Sequence, residues 1–342
     1  MSEATESDNG QGAFPQSRDR ALQLLATLCG WLEQGQKAWL VTVINSYHHS
    51  ITPPGSLVAV NEQGQWLGLA GPPERALVEQ ALEQERQGEV PVQPRWLEAL
   101  WDNGEREDEG LPYAGLIRLL LEPLDGDDGD HIRQLRDALE QRKPATRRVI
   151  VATAQRQLLE RSIPNLLESD PSVLLHTLLP VCHVLLLGAT EISRQVARLA
   201  CQSDFAVTVC EPRPALASAW QQRPEPGVAL QCGPPEELVA GDFQDYCCAI
   251  LALADDPRVD DPGLVAAMDT PAFYVGALGS DKAHGRRKDR LYKLGVPSHW
   301  IGTIHAPIGF IIGSRTPGEV AIAILAQLIA ERHRRLHRNS RL

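Results

Sequence analysis

Hydrophobic positions from Arg20 to Glu33 (Leu22, Leu25, Ala26, Leu28, Cys29, Leu32) recur every three or four residues, the spacing of a helix with one buried stripe. Ala38 to Ile44 is instead a β-branched and apolar run of strand type, followed by the loop NSYHHSITPPG. Two further strand-like runs, Ser56 to Val60 and Gln65 to Ala70, flank Asn61 to Gly64, whose Asn and Gly mark a hairpin turn. Pro73 to Glu85 reads as a helix and Leu116 to Leu121 as another strand, so this part of the chain is a small α/β unit.

The rhythm changes at Val181, where short apolar runs begin to alternate with helical periods. Strands are expected at His183 to Leu187, Ala206 to Cys210, Ala229 to Cys232, Cys247 to Leu253 and Ala272 to Ala277. The first crossover helix, Thr190 to Gln202, should lay Ile192, Val196, Leu199 and Ala200 on the sheet. Right-handed crossovers between such strands give a parallel, Rossmann-like sheet. The expected fold class is therefore α/β, with residues 1–17 a disordered tail, 18–180 a smaller amino-terminal α/β domain and linker, and 181–342 the Rossmann-like domain.

Composition narrows the function. The net charge is -11, which argues against a general nucleic-acid binder because phosphate neutralisation needs basic surface. No apolar run long enough for a membrane span occurs, and the first thirteen residues lack a basic start and an apolar core, so a soluble cytoplasmic protein is expected. Seven cysteines without CxxC spacing should be reduced, most of them small buried hydrophobes, and Cys247 and Cys248 should point to opposite faces of their strand. Two acidic patches, Asp102 to Gly110 and Asp125 to Asp130, read as solvated loops. The second is no EF-hand, since Asp130 stands where glycine is needed and Gly129 where an oxygen ligand is needed.

The turn after the first strand of the second domain reads Gly188-Ala189-Thr190-Glu191-Ile192-Ser193, where a dinucleotide fold would carry GxGxxG. Only the first glycine is present. Thr190 should obstruct a pyrophosphate and Glu191 repel it, although Glu211 stands where a ribose-binding acid would be, so NAD(P) is not the expected ligand. Farther on, Gly279-Ser280 follows a strand and opens a helical segment with Lys282, His284, Arg286, Arg287 and Lys288. It reads either as a phosphate-receiving turn or as a capped helix with a solvated basic face. Thr316-Pro317-Gly318-Glu319 is a capping box that starts an apolar helix, and His305 in the glycine-rich run from His305 to Arg315 is a candidate ligand contact. No Ser/His/Asp arrangement or metal-ligand cluster is found, so a catalyst is not indicated.

The segments VLLLGATEISRQVARLA, VTVCEPRP, ADDPRVDDPGL, TPAFYVGALGS, APIG and IGSRTPGEVAIAILAQLIA, in that order, resemble the carboxyl domain of the XdhC/CoxI family. WLVTVINSYHHSITPPGSLVAV and GLIRLLLEPL are similar to its amino part. The resemblance implies a factor that binds the molybdenum cofactor, as molybdopterin or its nucleotide form. It would protect the cofactor while a cysteine desulfurase supplies sulfur and deliver it to an apo-form molybdenum hydroxylase of the xanthine dehydrogenase type; a homodimer is compatible with this. An NAD(P)-dependent oxidoreductase and a scaffold that only docks partners are the alternatives. Three departures weaken a direct sulfuration role. Gly71-Pro72-Pro73-Glu74-Arg75 replaces the family's Gly-Gly-Cys-Val-Glu, Tyr113-Ala114-Gly115 replaces a Cys-Gly-Gly, and His48-His49 replaces a Gly-Ser. On this reading the ligand occupies the carboxyl edge of the second sheet, facing the amino-terminal domain. Gly188, Thr190, Glu211, Gly279, Ser280, Arg286, Arg287, His305, Pro307 and Gly309 are the candidate contacts.

Overall fold

The computed structural model describes residues 20–45, 52–101, 115–160 and 166–336. The expected tail, His48 and His49, the acidic patch Asp102 to Gly110, and Tyr113 and Ala114 lie outside these residues. The amino-terminal half opens with α1 (Arg20–Glu33), β1 (Ala38–Asn45), β2 (Leu57–Asn61), β3 (Trp66–Gly68) and α2 (Pro72–Arg86). Next come β4 (Arg95–Trp101) and β5 (Gly115–Leu124), and the five strands form one antiparallel sheet in the order β3-β2-β1-β5-β4. At the β2–β3 hairpin the Asn61 side chain accepts from the amides of Gln63 and Gln65, and Gly64 takes φ 77°, which is why this turn was legible. Of the expected α1 stripe Leu25, Leu28, Cys29 and Leu32 are buried, whereas Ala26 is exposed and Leu22 half-buried, and Leu24 and Trp31 complete the buried face.

The acidic stretch Asp125 to Asp130 is not a loop. Asp125 and Asp128 close a capping box around a short 3-10 turn, and α3 (Gly129–Glu140) follows directly, with Ile132, Leu135 and Leu139 packed against α1. Acids favour helix starts because their carboxylates accept from free amides and meet the positive end of the dipole. Instead of a plain linker before residue 181 there is a second antiparallel sheet, order β7-β6-β9-β8, made of β6 (Ala145–Ile150), β7 (Gln155–Leu159), β8 (Leu167–Ser169) and β9 (Val173–Leu178). It meets the first sheet across a buried ion pair, Arg147 to Glu122 at 2.9 Å, with Thr42 2.5 Å from the same guanidinium.

The carboxyl-terminal half is a five-stranded parallel sheet, order β12-β11-β10-β13-β14, made of β10 (His183–Leu187), β11 (Ala206–Cys210), β12 (Val228–Gln231), β13 (Cys248–Ala252) and β14 (Tyr274–Ala277). The expected strands are all present, with end shifts of one or two residues. Four helices link them, α4 (Glu191–Gln202), α5 (Pro214–Gln222), α6 (Pro235–Asp242) and α7 (Pro257–Ala267), and α8 (Asp281–Lys293), α9 (Ser298–Ile301) and α10 (Pro317–Leu336) follow β14. One face of the sheet packs on α4 and α10 and the other on α7 and α8, so its strands read as unbroken apolar runs. Cys247 lies in the first of these cores and Cys248 in the second, on opposite faces as the pleat requires. All seven cysteines are free thiols; five are buried and Cys232 is exposed.

The halves touch at the amino edge of this sheet. Arg142 grips Asp245 through two bonds, of 2.6 and 3.2 Å, and donates to the Val181 carbonyl, while Arg20 pairs with Asp204. Val181, Asp204 and Asp245 each lie just before a strand, so the carboxyl edge, where such folds take ligands, is on the far side from these contacts. This corrects the expectation that the ligand edge faces the amino-terminal half.

Candidate functional site

Along the carboxyl edge the strand order sets out five turns: Cys232 after β12, Glu211 after β11, Gly188 after β10, Ala254 after β13, and Gly279 after β14. The first candidate site is the turn after β10. Gly188 holds φ 96°, and a Cβ on it would lie 2.5 Å from the Ala254 backbone, so glycine is required by the packing of two turns. Thr190 caps α4, accepting from the Ser193 amide, and the Ser193 hydroxyl donates to the Gly188 carbonyl at 2.6 Å. Thr190, expected to obstruct a pyrophosphate, and Ser193, at the third fingerprint position, are thus structural members of this turn.

Glu211 completes the closure. Its carboxylate is fully buried and accepts from the Ala189 amide at 2.8 Å, the Arg213 amide at 3.0 Å, and the Arg213 guanidinium at 2.7 and 2.8 Å. Burial opposes its charge, yet the bonds from Arg213 and the two amides outweigh that and hold the carboxyl below its ordinary range. Arg213 in turn reaches Asp256 at 3.3 Å. A phosphate at this turn would need the Ala189 amide that Glu211 already occupies. The Gly188 amide is likewise committed, to the Cys210 carbonyl at 2.8 Å.

The turn after β14 is built differently. Gly279 has φ 139°, and Ser280 caps α8 by accepting from the Ala283 amide at 3.3 Å. Arg287, two turns into α8, folds back under the turn with 4% of its surface exposed. One of its nitrogens, Nη2, donates to the Leu278 carbonyl at 2.9 Å and lies 3.5 Å from Asp260. Burial raises the Asp260 carboxyl to about 6 in spite of Arg287, and Asp260 accepts from the Ala254 amide at 3.1 Å. The Gly188 side of the edge is thus linked to the Gly279 side by the Ala254–Asp260 hydrogen bond, the Asp260–Arg287 ion pair and the Arg287–Leu278 hydrogen bond. Arg286, the neighbour in sequence, is on the exposed face of the helix.

The remaining candidates divide. Ile308 donates its amide to the Ala277 carbonyl, which brings Pro307 and Gly309 beside the end of β14, near Gly279. Gly309, φ 92°, donates to Gln327 at 2.8 Å, and its bare backbone lets the loop press against α10. The segment beyond it exposes Phe310, Ile311 and Ile312. His305 is not with this group. It bridges Gly276, and its ring stacks on Tyr274 at 4.5 Å. It lines a cavity of about 230 Å³ with Phe273, Trp300 and Arg335. That cavity is at the start of β14, the opposite edge of the sheet. The sequence reading missed Asp260 and Arg213; ADDPRVDDPGL and CEPRP carried them, but neither shows which turn its charges would meet.

Residues 184–328 match the family model described as the XdhC Rossmann domain. The molybdenum cofactor insertion chaperone PaoD of Escherichia coli (strain K12) is 26% identical over 307 residues, spanning 88% of this chain and 85% of that protein. A probable xanthine dehydrogenase subunit of Bacillus subtilis (strain 168) is 23% identical over 246 residues, 66% of this chain and 72% of the other. Among solved structures, a protein from Bacillus halodurans described as a xanthine dehydrogenase shares the fold, with a TM-score of 0.68 at 21% identity over 94% of this chain and 98% of that one.

Proposed function

Residues 184–328 belong to the XdhC Rossmann domain family, and on that premise we propose that this chain is a cytoplasmic accessory chaperone for the molybdenum cofactor. It receives molybdopterin or its nucleotide form and assists its insertion into an apo-form molybdenum hydroxylase of the xanthine dehydrogenase type. The cargo sits on the carboxyl edge of the β10–β14 sheet, where Gly279, Ser280 and Arg287 come together and Pro307 and Gly309 offer loop backbone for a pterin edge. The observation that carries this reading is the closure of the turn after β10 by Glu211. A parallel sheet with an accessible carboxyl edge but a committed pyrophosphate turn is suited to a ligand other than a dinucleotide redox cofactor.

The similarity to the PaoD chaperone over 88% of the chain supports the same reading. The family's cysteine position falls at the start of α2, where Pro72 and Pro73 begin the helix behind Gly71, so sulfur chemistry is left to a partner such as a cysteine desulfurase. The test is expression in cells that make the cofactor, followed by purification and identification of retained pterin after oxidation to its fluorescent derivatives. Retained molybdopterin, transferred to an apo-hydroxylase with gain of hydroxylase activity, is the expected result. Protein that returns free of pterin and still binds the hydroxylase would make it a docking scaffold. Tight NAD(P) binding with hydride transfer would make it an oxidoreductase.

A further inference from the structure

Three buried nitrogens on one face of α8 have no hydrogen-bond partner among the described residues: Nε and Nη1 of Arg287, and Nδ1 of His284. Both side chains are more than nine-tenths buried, at 4% and 8% exposure. Buried polar groups are nearly always paired, so this grouping at one turn needs an explanation. A Cβ built on Gly279 would lie 3.8 Å from Arg287 Nη1, so with no side chain there that nitrogen, though itself covered, lies directly beneath the half-exposed turn. Around it, α8 begins at Asp281, so its free first-turn amides and positive dipole end face the same place. Lys282, Arg286 and Lys288 lie exposed on the outside of the same helix and add positive potential, against Asp281 and Asp289 on that helix and the buried Asp260 3.5 Å from Nη2.

We infer that the turn Leu278–Ala283, with Arg287 beneath it, is a subsite for one terminal phosphomonoester, and that a diphosphate finds no second seat on this edge because Glu211 fills the turn after β10. A guanidinium with two unused donors beside a helix start matches the oxygens of a tetrahedral dianion. The second part rests on the chaperone reading: the cargo is then molybdopterin with its own terminal phosphate, in preference to the form whose phosphate is buried in a dinucleotide linkage.

The probes are inorganic phosphate, glycerol 3-phosphate as a monoester, and diadenosine diphosphate as a diphosphate with no terminal monoester. Binding is followed by calorimetry and thermal shift on the full chain. Arg287→Met and Gly279→Ala are the test variants, and Lys293→Gln, at the exposed far end of α8, is the control. Both phosphate probes should stabilise the parent and the control, with affinity in the test variants reduced roughly tenfold to a hundredfold. Diadenosine diphosphate should bind the parent at least about tenfold more weakly than the monoester. If Arg287→Met does not fold, Gly279→Ala carries the test by covering Nη1. Unchanged affinity in Gly279→Ala, loss in Lys293→Gln alone, or no response in the folded parent would each overturn the subsite, and equal binding of the diphosphate would overturn the preference. A phosphate response that follows this pattern in a protein that never retains a pterin leaves the subsite standing and refutes the chaperone reading. Full pterin retention by Gly279→Ala does the reverse.

Discussion

Replacing Glu211 tests the reading that this acid is a staple inside the fold and not a ribose ligand. Its four bonds, two from amides and two from one guanidinium, are made in a fully buried position. In Glu211→Ala the Ala189 and Arg213 amides lose their acceptor and Arg213, 28% exposed, loses its closest counter-charge. Removing one partner of a buried pair costs about 3–5 kcal/mol; because Arg213 can turn toward water and toward Asp256, the lower end of that range is expected here. A unit of this size shifts its melting temperature by about 2–4 °C per kcal/mol, so a fall on the order of 6–12 °C should appear by scanning calorimetry. The pH dependence has a fixed sign. The folded carboxyl is held below its ordinary value, so its contribution is present above the unfolded pKa and is lost as pH falls through the folded one. Parent and variant should therefore converge in acid. Titration of both with NAD(P)H decides the function of the residue. No binding by either protein is the expected result; submillimolar binding by the parent that disappears in the variant, with a melting point unchanged, would refute the argument.

Gly188→Ala should cost about 2–4 kcal/mol in urea unfolding, since it forces a side chain into φ 96° and within 2.5 Å of Ala254; a change below about 0.5 kcal/mol would contradict that packing. Burial, with help from Arg147, depresses His176 to about 3 and His131 to about 4. Their neutral forms are thus preferred by the fold, and stability should fall as pH drops below the ordinary histidine value. His176 alone accounts for about 3 kcal/mol between pH 6.5 and 4, and His176→Gln should flatten that acid limb. Asp245→Ala frees Arg142 and the Cys247 amide together, and a loss of about 1–3 kcal/mol with faster protease cleavage near residue 180 is expected; unaltered digestion would mean that the halves are held by other contacts.

The parallel sheet was legible because its inner strands β10, β11 and β13 are buried on both faces and written in largely apolar residues, while α4 shows a helical period with a capping threonine in front. The β6–β9 sheet was not, because its core contains charge. In ATRRVI both faces are buried and carry Thr146 and Arg147, residues that a pattern reader assigns to solvent; Thr146 pairs with Thr177 of β9, and Arg147 is inside because Glu122 and Thr42 arrive from strands more than twenty residues away in sequence. Asp125 to Asp130 misled for a local reason: the same acids that mark a solvated loop also cap a helix, and the choice depends on whether Ile132 and Leu135 find α1 to pack on.

At the site, two turns that read alike in sequence have opposite characters. Each has a glycine at positive φ, a hydroxyl residue capping the following helix, and an acid in that helix's first turn: Gly188, Thr190 and Glu191 in one, Gly279, Ser280 and Asp281 in the other. What separates them is the charged side chain that reaches each turn from elsewhere. Glu211 brings acceptors to the first and takes the Ala189 amide that a phosphate would have used, while its other oxygen holds the Arg213 amide of its own turn. Arg287 brings donors to the second, spends Nη2 on the Leu278 carbonyl, and adds its remaining nitrogens to those of the helix start. An acceptor satisfies a helix amino terminus and a donor leaves it in surplus, so the sign of the visiting residue decides which turn is closed and which can hold an anion. Glu211 and Arg287 were both visible as residues, and the sequence even placed the acid at the end of the right strand. The partner of Glu211 was fixed only when the β-strand order brought Ala189 beside it, and that of Arg287 when α8 folded it back under Leu278.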